Sequence, residues 1–241
     1  MSPALRLAAV TQRFGGVTAL KDVSLEIGAS ELTGLIGPNG AGKTTLFNVA
    51  SGFFAPTSGR VFLRGTDVTA MAPHRLAKRG LVRTFQGARV FPKLTVREGL
   101  RIAQHLTTRG GRRPLIDDPL GAFGLQRYAG DLAGSLPSGV TRVLGIAMAS
   151  ATGASILLLD EPAAGLNAEE AGQLQQIILR VHQAGATVLV IEHNLHFLMG
   201  LVRRVVVLDA GRLVADGSPA DVTRDPLVIE AYLGAPAVAA G

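Results

Sequence analysis

The residues with the clearest chemistry form a glycine-rich loop near the start of the chain. Residues 37–44 read Gly-Pro-Asn-Gly-Ala-Gly-Lys-Thr, which fits the phosphate-loop pattern G-x-x-x-x-G-K-[ST] at every fixed position. In such a loop, backbone N–H groups turn inward to hold phosphate oxygens, and the following helix adds its positive end. Lys43 is predicted to reach the β- and γ-phosphates of a nucleoside triphosphate, and the Thr44 hydroxyl to ligate Mg²⁺. The predicted nucleotide-binding residues here are Gly37, Asn39, Gly40, Ala41, Gly42, Lys43, Thr44 and Thr45.

A pair of carboxylates lies far downstream. The apolar run 156–159 is followed directly by Asp160 and Glu161. A buried strand that ends in two carboxylates is the Walker B arrangement, in which Asp160 holds Mg²⁺ and Glu161 polarises the water that attacks the γ-phosphate. Four apolar residues before Asp-Glu are weak evidence alone, and a purely structural role is the alternative. Their occurrence together with the upstream loop favours the catalytic interpretation.

The elements around these residues are typical of an α/β fold with a largely parallel sheet, because strand-like and helix-like runs alternate. Residues 32–36 form an apolar run before the phosphate loop and residues 44–50 can continue as a helix, a context that argues against a chance glycine-rich turn. Residues 192–201 are predicted as a helix, 109–119 as a loop, and Ser218-Pro219 as a helix start. The other predicted strands are 5–10, 20–27, 61–63, 156–159, 187–191, 205–208 and 213–215, the last two joined by a turn at 209–212.

Composition indicates one soluble globular unit. The 241 residues are 47% hydrophobic, yet no uninterrupted apolar run approaches the ~18 residues of a membrane span, and residues 1–10 lack the apolar block of a signal peptide. The absence of cysteine excludes disulfides and thiolate metal sites. The net charge of +6 is spread along the chain and aromatic residues are only 5%, so we predict no nucleic-acid partner.

The chain resembles the ATP-binding subunits of ABC transporters over nearly all of its length, from about Leu5 to Gly234. Within that superfamily it is most similar to the LivG type of branched-chain amino acid importer ATPase. The closer similarity is carried by residues 83–86 (Arg-Thr-Phe-Gln), 161–167 (Glu-Pro-Ala-Ala-Gly-Leu-Asn), 191–194 (Ile-Glu-His-Asn) and 231–234 (Ala-Tyr-Leu-Gly). The resemblance implies an α/β P-loop NTPase fold of ABC type, with a RecA-like core, an antiparallel β subdomain and a shortened helical subdomain.

The resemblance also implies a domain organisation. Residues 1–234 are expected to form a single ABC nucleotide-binding domain, with a helical subdomain at about 87–150 inserted in the core. Residues 235–241 are expected to be a flexible tail, since they are small and terminal. The segment 86–135 is shorter than is usual in the subfamily, which predicts a trimmed helical subdomain.

Further site residues are carried over from the family at matching positions. Gln86 matches the Q-loop glutamine, which senses Mg²⁺ and the membrane subunit, and is therefore predicted to act in catalysis and metal binding. His193 matches the switch histidine that contacts the γ-phosphate, and Phe14 the aromatic residue that stacks on adenine. Taken singly, these could be a solvated loop glutamine, a core histidine and a core anchor. The D-loop, which lines the dimer seam in the family, corresponds to Ala164, Gly165, Leu166 and Asn167.

The signature motif departs from the family pattern. ABC ATPases place a sequence near Leu-Ser-Gly-Gly-Gln at a helix start, where it caps the ATP held by the partner subunit. Here Pro137 removes a hydroxyl and a backbone N–H, and Val140 replaces a carboxamide by an apolar side chain. We therefore expect impairment of the ATP site that this signature completes, while the helix dipole is retained. The segment comprises Leu136, Pro137, Ser138, Gly139 and Val140.

The predicted function is that of an ATP-binding and ATP-hydrolysing subunit that powers an ABC importer for branched-chain amino acids or a related small polar solute, with ATP and Mg²⁺ as cofactors. The expected partners are a second ABC ATPase in a head-to-tail heterodimer, transmembrane permease subunits and, indirectly, a solute-binding protein. The expected location is the cytoplasmic face of the plasma membrane. One alternative is a regulatory or non-transport clamp with weak or no hydrolysis. Another is a pseudo-ATPase, which Pro137 and Val140 favour but Glu161 and His193 oppose.

Overall fold

The computed structural model describes residues 2–84, 90–109 and 113–233, which contain ten strands and nine α-helices. The strands are β1 (Leu5–Phe14), β2 (Val17–Ile27), β3 (Leu32–Ile36), β4 (Ser58–Leu63), β5 (Thr66–Asp67), β6 (Leu81–Arg83), β7 (Ile156–Asp160), β8 (Thr187–Ile191), β9 (Arg204–Asp209) and β10 (Arg212–Gly217). The helices are α1 (Lys43–Ala50), α2 (Pro73–Lys78), α3 (Val96–Arg109), α4 (Pro119–Ala122), α5 (Ser138–Ala151), α6 (Ala168–Gln183), α7 (Leu195–Met199), α8 (Pro219–Val222) and α9 (Pro226–Leu233).

The larger sheet is parallel except at one edge. Its strand order is β10-β9-β3-β8-β7-β6, and only β10 runs antiparallel to its neighbour. Every residue of β3, β7 and β8 is buried, as expected for central strands covered on both faces. The residues that follow β3, β7 and β8 therefore meet at the carboxyl edge of this sheet, where ligands of open α/β sheets bind.

The smaller sheet is antiparallel, with strand order β2-β1-β4-β5. It shares one hydrophobic core with α1 and one face of the parallel sheet, as illustrated by Leu7, Phe47 and Leu189. The opposite face packs in a second core against α3, α5 and α6, where Leu100, Leu144 and Ile178 are buried. This layered arrangement confirms the predicted α/β class, with an antiparallel sheet beside the parallel one.

Helices α3, α4 and α5 lie within the segment where a helical subdomain is predicted, and α3 packs against α5. A capping box starts α3, since Glu98 Oε2 accepts from Thr95 N at 2.8 Å while Thr95 Oγ1 accepts from Glu98 N at 3.2 Å. Of the predicted loop at 109–119, residues 113–118 are neither helix nor strand, and residues 110–112 lie outside the described part of the chain. The division into subdomains and tail stays a prediction.

One predicted helix is wrong in its bounds. Residues 192–201 were expected to be helical, but α7 covers only Leu195–Met199. Asn194 Oδ1 accepts from Phe197 N at 3.1 Å and so fixes the helix start. Glu192 is held to the sheet instead, because its N–H donates to Leu35 O at 3.3 Å. The predicted helix start at Ser218-Pro219 is confirmed, since Ser218 Oγ accepts from Asp221 N at 3.2 Å.

Candidate functional site

The phosphate loop connects β3 to α1 and is packed tightly against its neighbours. Gly37 and Gly42 have φ of 152° and 104°. A Cβ at Gly37 would lie 2.0 Å from Leu208 O in β9, and one at Gly42 would lie 2.5 Å from Ala19 O in β2. Side chains at these positions would collide with fixed backbone, so only glycine permits this loop path.

The outer side of the loop is free of capping side chains. Gly42 is the N-cap of α1, and the first helical turn has no acidic residue. The first N–H groups of a helix have no intrahelical partner, so they are available to an anion. Asn39, Gly40 and Thr44 are exposed and Thr45 is half-buried, whereas Ala41 is buried and its carbonyl accepts from Gly211 N at 3.0 Å.

Lys43 is folded back over its own loop. Its Nζ donates to Gly37 O at 2.7 Å and to Pro38 O at 2.9 Å, and the residue is only 7% exposed. Burial lowers the pKa of the Lys43 ammonium, and the nearby carboxylates of Glu161 and Asp160 partly oppose this shift. The structure thus brings the predicted phosphate-binding lysine together with both predicted Walker B carboxylates.

Asp160, the predicted Mg²⁺ ligand, forms a buried ion pair that the sequence did not indicate. Asp160 ends β7, and its Oδ2 accepts from Arg83 Nη2 at 2.6 Å, with side chains that are 9% and 4% exposed. Arg83 ends β6, and its Nη1 donates to Asn48 Oδ1 of α1 at 2.6 Å. This arginine therefore ties the predicted metal-binding carboxylate to the helix that follows the phosphate loop.

Replacing Arg83 with methionine should lower the free energy of unfolding by about 3–5 kcal/mol, because Asp160 would remain buried without its counter-ion. Denaturant titration of the purified chain measures this effect. The matched control is Arg60→Met, which removes the ion pair between Arg60 and Asp67. Its N···O distance is 3.9 Å, and the two side chains are 70% and 45% exposed. That pair should contribute less than about 1 kcal/mol. Equal losses in the two variants would contradict the importance of burial.

Glu161 and His193 meet at the carboxyl ends of β7 and β8. Glu161 Oε1 lies 3.7 Å from His193 Nδ1, and the side chains are 23% and 55% exposed. Glu161 has a φ of 46°, which is rare for a residue other than glycine, and its N–H donates to Ile191 O at 3.0 Å. An uncommon backbone conformation held at a site of this kind agrees with the predicted roles of base and γ-phosphate contact.

Phe14 lies at the end of β1 and is 44% exposed, so it is not a core anchor. Its ring meets Phe54 edge to face, with centroids 5.5 Å apart and an interplanar angle of 75°. An exposed aromatic ring held by a second ring is suited to stacking on a planar base.

Replacing Phe14 with alanine should weaken ATP binding by about 1–3 kcal/mol through loss of base stacking. The stability of the nucleotide-free chain should change by about 1 kcal/mol or less, since the ring is exposed and loses mainly its contact with Phe54. Equilibrium nucleotide titration and thermal unfolding give the two quantities. Phe91→Ala is the control, because Phe91 is exposed to a similar extent, 51% against 44% for Phe14. This substitution should leave ATP affinity unchanged. A large stability loss with unchanged affinity would contradict stacking.

The divergent signature forms an ordinary helix start. Pro137 is the N-cap of α5, with φ −54° and ψ 149°, and its carbonyl accepts from Thr141 N at 2.9 Å. The proline therefore does not distort the helix, and the N–H groups of Ser138 and Gly139 remain at the positive end of α5. Val140 packs partly against the core instead of offering a carboxamide.

The predicted D-loop leads directly into α6. Asn167 and Glu170 form a capping box, since Asn167 Oδ1 accepts from Glu170 N at 2.9 Å and Glu170 Oε2 accepts from Asn167 N at 3.0 Å. A Cβ at Gly139 would lie 3.1 Å from Glu170 Oε1, so the signature and the start of α6 adjoin. The remaining D-loop residues lie in the turn before α6, where Gly165 has a φ of 71°; they are Ala164, Gly165 and Leu166.

Two predicted features lie outside the described residues: Gln86 and the tail 235–241. Within residues 2–84, 90–109 and 113–233, no three His, Asp or Glu side chains form a metal cluster. Mg²⁺ usually retains waters and phosphate oxygens and takes only one or two protein ligands. The predicted ligands are the exposed Thr44 and Asp160, whose Oδ2 is paired with Arg83. In the same part of the chain, no helix has the length and apolar character needed to cross a bilayer.

Two family models match this chain. The model described as ABC transporter matches residues 20–164, and the one described as branched-chain amino acid ATP-binding cassette transporter matches residues 212–238. The chain belongs to the ABC transporter family of ATP-binding proteins. This ABC ATPase is 38% identical over 250 residues to the high-affinity branched-chain amino acid transport ATP-binding protein BraF of Pseudomonas aeruginosa. It is 40% identical over 251 residues to LivG of Salmonella typhimurium. Both alignments span 96% of this chain and 98% of the relative.

Solved structures agree with the fold of this ABC ATPase. The ATP-binding cassette MJ1267 in its ADP conformation superposes with a TM-score of 0.85 at 30% identity, over 98% of this chain and 100% of that one. A nucleotide-free ATP-binding cassette from an ABC transporter gives a TM-score of 0.83 at 29% identity, over 97% of this chain and 100% of that one.

The alignment to BraF runs over more positions than this chain has residues, so the relative carries residues without a counterpart here.

The carboxyl-terminal helix of this ABC ATPase reaches the phosphate loop. Tyr232 of α9 lies close to the backbone of Gly37. Burial raises the pKa of the Tyr232 hydroxyl, and the nearby Gly37 backbone partly opposes this shift. Sequence reasoning marked residues 231–234 only as a family similarity. No local pattern indicated that this segment returns to the nucleotide site, because the two residues are far apart in the chain.

Proposed function

We propose that this chain is the ATPase subunit that powers import of branched-chain amino acids or a related small polar solute. The observation that carries the proposal is the match to branched-chain amino acid transport ATP-binding proteins across 96% of the chain, which extends into residues 212–238. The geometry of Lys43, Glu161 and His193 supports an active hydrolase, since a chain that only binds nucleotide needs no paired base and histidine.

The proposed reaction begins with the triphosphate lying along residues 37–44. Lys43 exchanges its two carbonyl acceptors for β- and γ-phosphate oxygens, and thereby stabilises the charge that develops during transfer. Thr44 and Asp160 would hold Mg²⁺, which supplies charge neutralisation of the phosphates. Glu161 accepts the proton of the attacking water, and His193 contacts the γ-phosphate from the end of β8.

The proposed assembly is a head-to-tail dimer with a second ABC ATPase that has an intact signature. Each ATP would lie between one phosphate loop and the opposite signature, and closure would drive transmembrane permease subunits through contacts near Gln86. A solute-binding protein would deliver the solute, and the chain would act on the cytoplasmic face of the membrane. In this proposal residues 1–234 are one domain, about 87–150 its helical subdomain, and 235–241 a tail.

Reconstitution of the complete transporter in liposomes tests this proposal. ATP enclosed with the nucleotide-binding subunits should drive uptake of labelled leucine, isoleucine or valine, and Lys43→Ala should abolish it. Uptake of urea or a short amide in place of these amino acids would keep the energising role and change the solute. ATP hydrolysis without uptake of any of these solutes would contradict the importer.

A further inference from the structure

Glu192 is a buried carboxylate that the proposed reaction does not use. It directly follows β8 and directly precedes His193, and it is 1% exposed. Its Oε1 accepts from Ala163 N at 2.7 Å, whereas its Oε2 is buried without a hydrogen-bond partner among the described residues. Burial raises the pKa of this carboxyl group, and the nearby N–H groups of Ala163, Asn194 and His193 partly oppose the shift.

A carboxylate at this position is unfavourable for the fold alone. The five residues of β8 before it are all buried, and a buried carboxyl oxygen without a partner costs free energy that an apolar side chain would not. The carboxylate therefore requires an explanation other than packing, and its one well-formed side-chain hydrogen bond among the described residues is to the segment that carries Glu161.

That segment has two backbone donors, and both are bound to the end of β8. Pro162 lacks an N–H, so residues 161–163 offer only the N–H groups of Glu161 and Ala163. Glu161 N donates to Ile191 O at 3.0 Å, and Ala163 N donates to Glu192 Oε1 at 2.7 Å. The turn that bears the predicted base is thus fixed on both sides of its proline to the strand end that bears His193.

We propose that Glu192 is a positioning residue for ATP hydrolysis. Its carboxylate holds Ala163 in place, and through Ala163 it positions the Glu161 side chain beside His193. Glu161 Oε1 lies 3.7 Å from His193 Nδ1. This inference rests on the proposed function of Glu161 and His193. The φ of 46° at Glu161 needs such support, because an unrestrained non-glycine residue leaves this region readily.

The test compares two replacements of Glu192 in the assembled transporter. Glu192→Met removes the acceptor at similar size, and kcat should fall about 10- to 100-fold while ATP affinity changes less than about threefold. Glu192→Gln keeps a carbonyl oxygen for the Ala163 N–H, so kcat should stay within about threefold of wild type. In Glu192→Met, hydrogen exchange should accelerate in peptides covering 161–166, and not in the remainder of the chain.

Two further variants make the result specific. Glu31→Met is the matched control: Glu31 Oε2 also accepts a backbone N–H, from Gly28 at 2.6 Å, but it precedes β3 at the opposite end of the sheet. It should affect stability without lowering kcat. If Glu192→Met does not fold, Glu192→Asp replaces it, because the shorter side chain withdraws the oxygen from Ala163 while the charge is kept, and the same fall in kcat is expected.

Wild-type kcat in a folded Glu192→Met or Glu192→Asp transporter would overturn the inference and leave the proposed function intact. Acceleration of exchange throughout the chain, with kcat reduced only in proportion to the unfolded fraction, would also overturn it, since Glu192 would then be merely structural. Absence of ATP hydrolysis by the wild-type transporter is a different outcome, which overturns the proposed function and this role together.

Discussion

Replacing Glu161 with glutamine is expected to lower ATP turnover by about 10²- to 10⁴-fold while ATP binding is kept. The amide is similar in shape to the carboxylate but cannot accept the proton of the attacking water. Asp160, the predicted Mg²⁺ ligand, is unchanged, and its ion pair with Arg83 is kept. Steady-state hydrolysis by the assembled transporter and equilibrium nucleotide binding measure the two properties.

The control for this variant is Lys43→Ala, which should lose binding itself. Lys43 is the buried cation of the phosphate loop, and its removal takes charge away from the β- and γ-phosphates. The two variants therefore separate binding from chemistry. Full turnover by Glu161→Gln would remove Glu161 from the role of general base.

The second large effect is a gain of activity on restoring the signature. Pro137→Ser combined with Val140→Gln should raise turnover of the isolated chain by about 10- to 1,000-fold, if a γ-phosphate donor worth a few kcal/mol returns. In the proposed head-to-tail arrangement a homodimer would place the divergent signature over both nucleotides, so the wild-type chain alone should bind ATP and hydrolyse it poorly. Hydrolysis by the purified chain, measured against protein concentration, tests this.

The structure indicates which of the two replacements matters more. Pro137 keeps the backbone of an N-cap, with its carbonyl accepting from Thr141 N at 2.9 Å, whereas Val140 offers no polar side-chain group to a nucleotide. Val140→Gln alone should therefore recover most of the gain, and Pro137→Ser alone little. Vigorous hydrolysis by the purified wild-type chain would show instead that the divergent signature functions and that an asymmetric partner is not required.

Features encoded by neighbouring residues could be predicted from the sequence. The unit β3, phosphate loop and α1 was predicted almost to the residue, because an apolar strand, obligatory glycines and a helix start follow one another directly. The strands β7 and β8 were predicted for a similar reason, since buried parallel strands are continuous apolar runs. The cap at Ser218 also depends only on local hydrogen bonds.

Features that depend on contacts between distant segments could not be predicted. Arg83 and Asp160 are 77 positions apart, and β6 has only three residues, too few for a recognisable periodicity. Glu192 was predicted as the first residue of a helix. Its hydrogen bond to Ala163 could not be predicted, because it exists only once β7 and β8 are neighbours. The positive φ of Glu161 has no sequence signal either, since it is imposed by the surrounding structure.

The hydrogen bonds of Lys43 to its own loop have a consequence for nucleotide affinity. Because Nζ already donates to Gly37 O and Pro38 O, the loop has its curvature before any ligand arrives, and its conformational entropy is lost on folding and not on binding. When the nucleotide enters, phosphate oxygens replace the neutral carbonyl oxygens as acceptors for the Lys43 ammonium, which is already in place. Substitutions that loosen this loop should weaken affinity without touching the ligand, because each binding event would have to order the loop again.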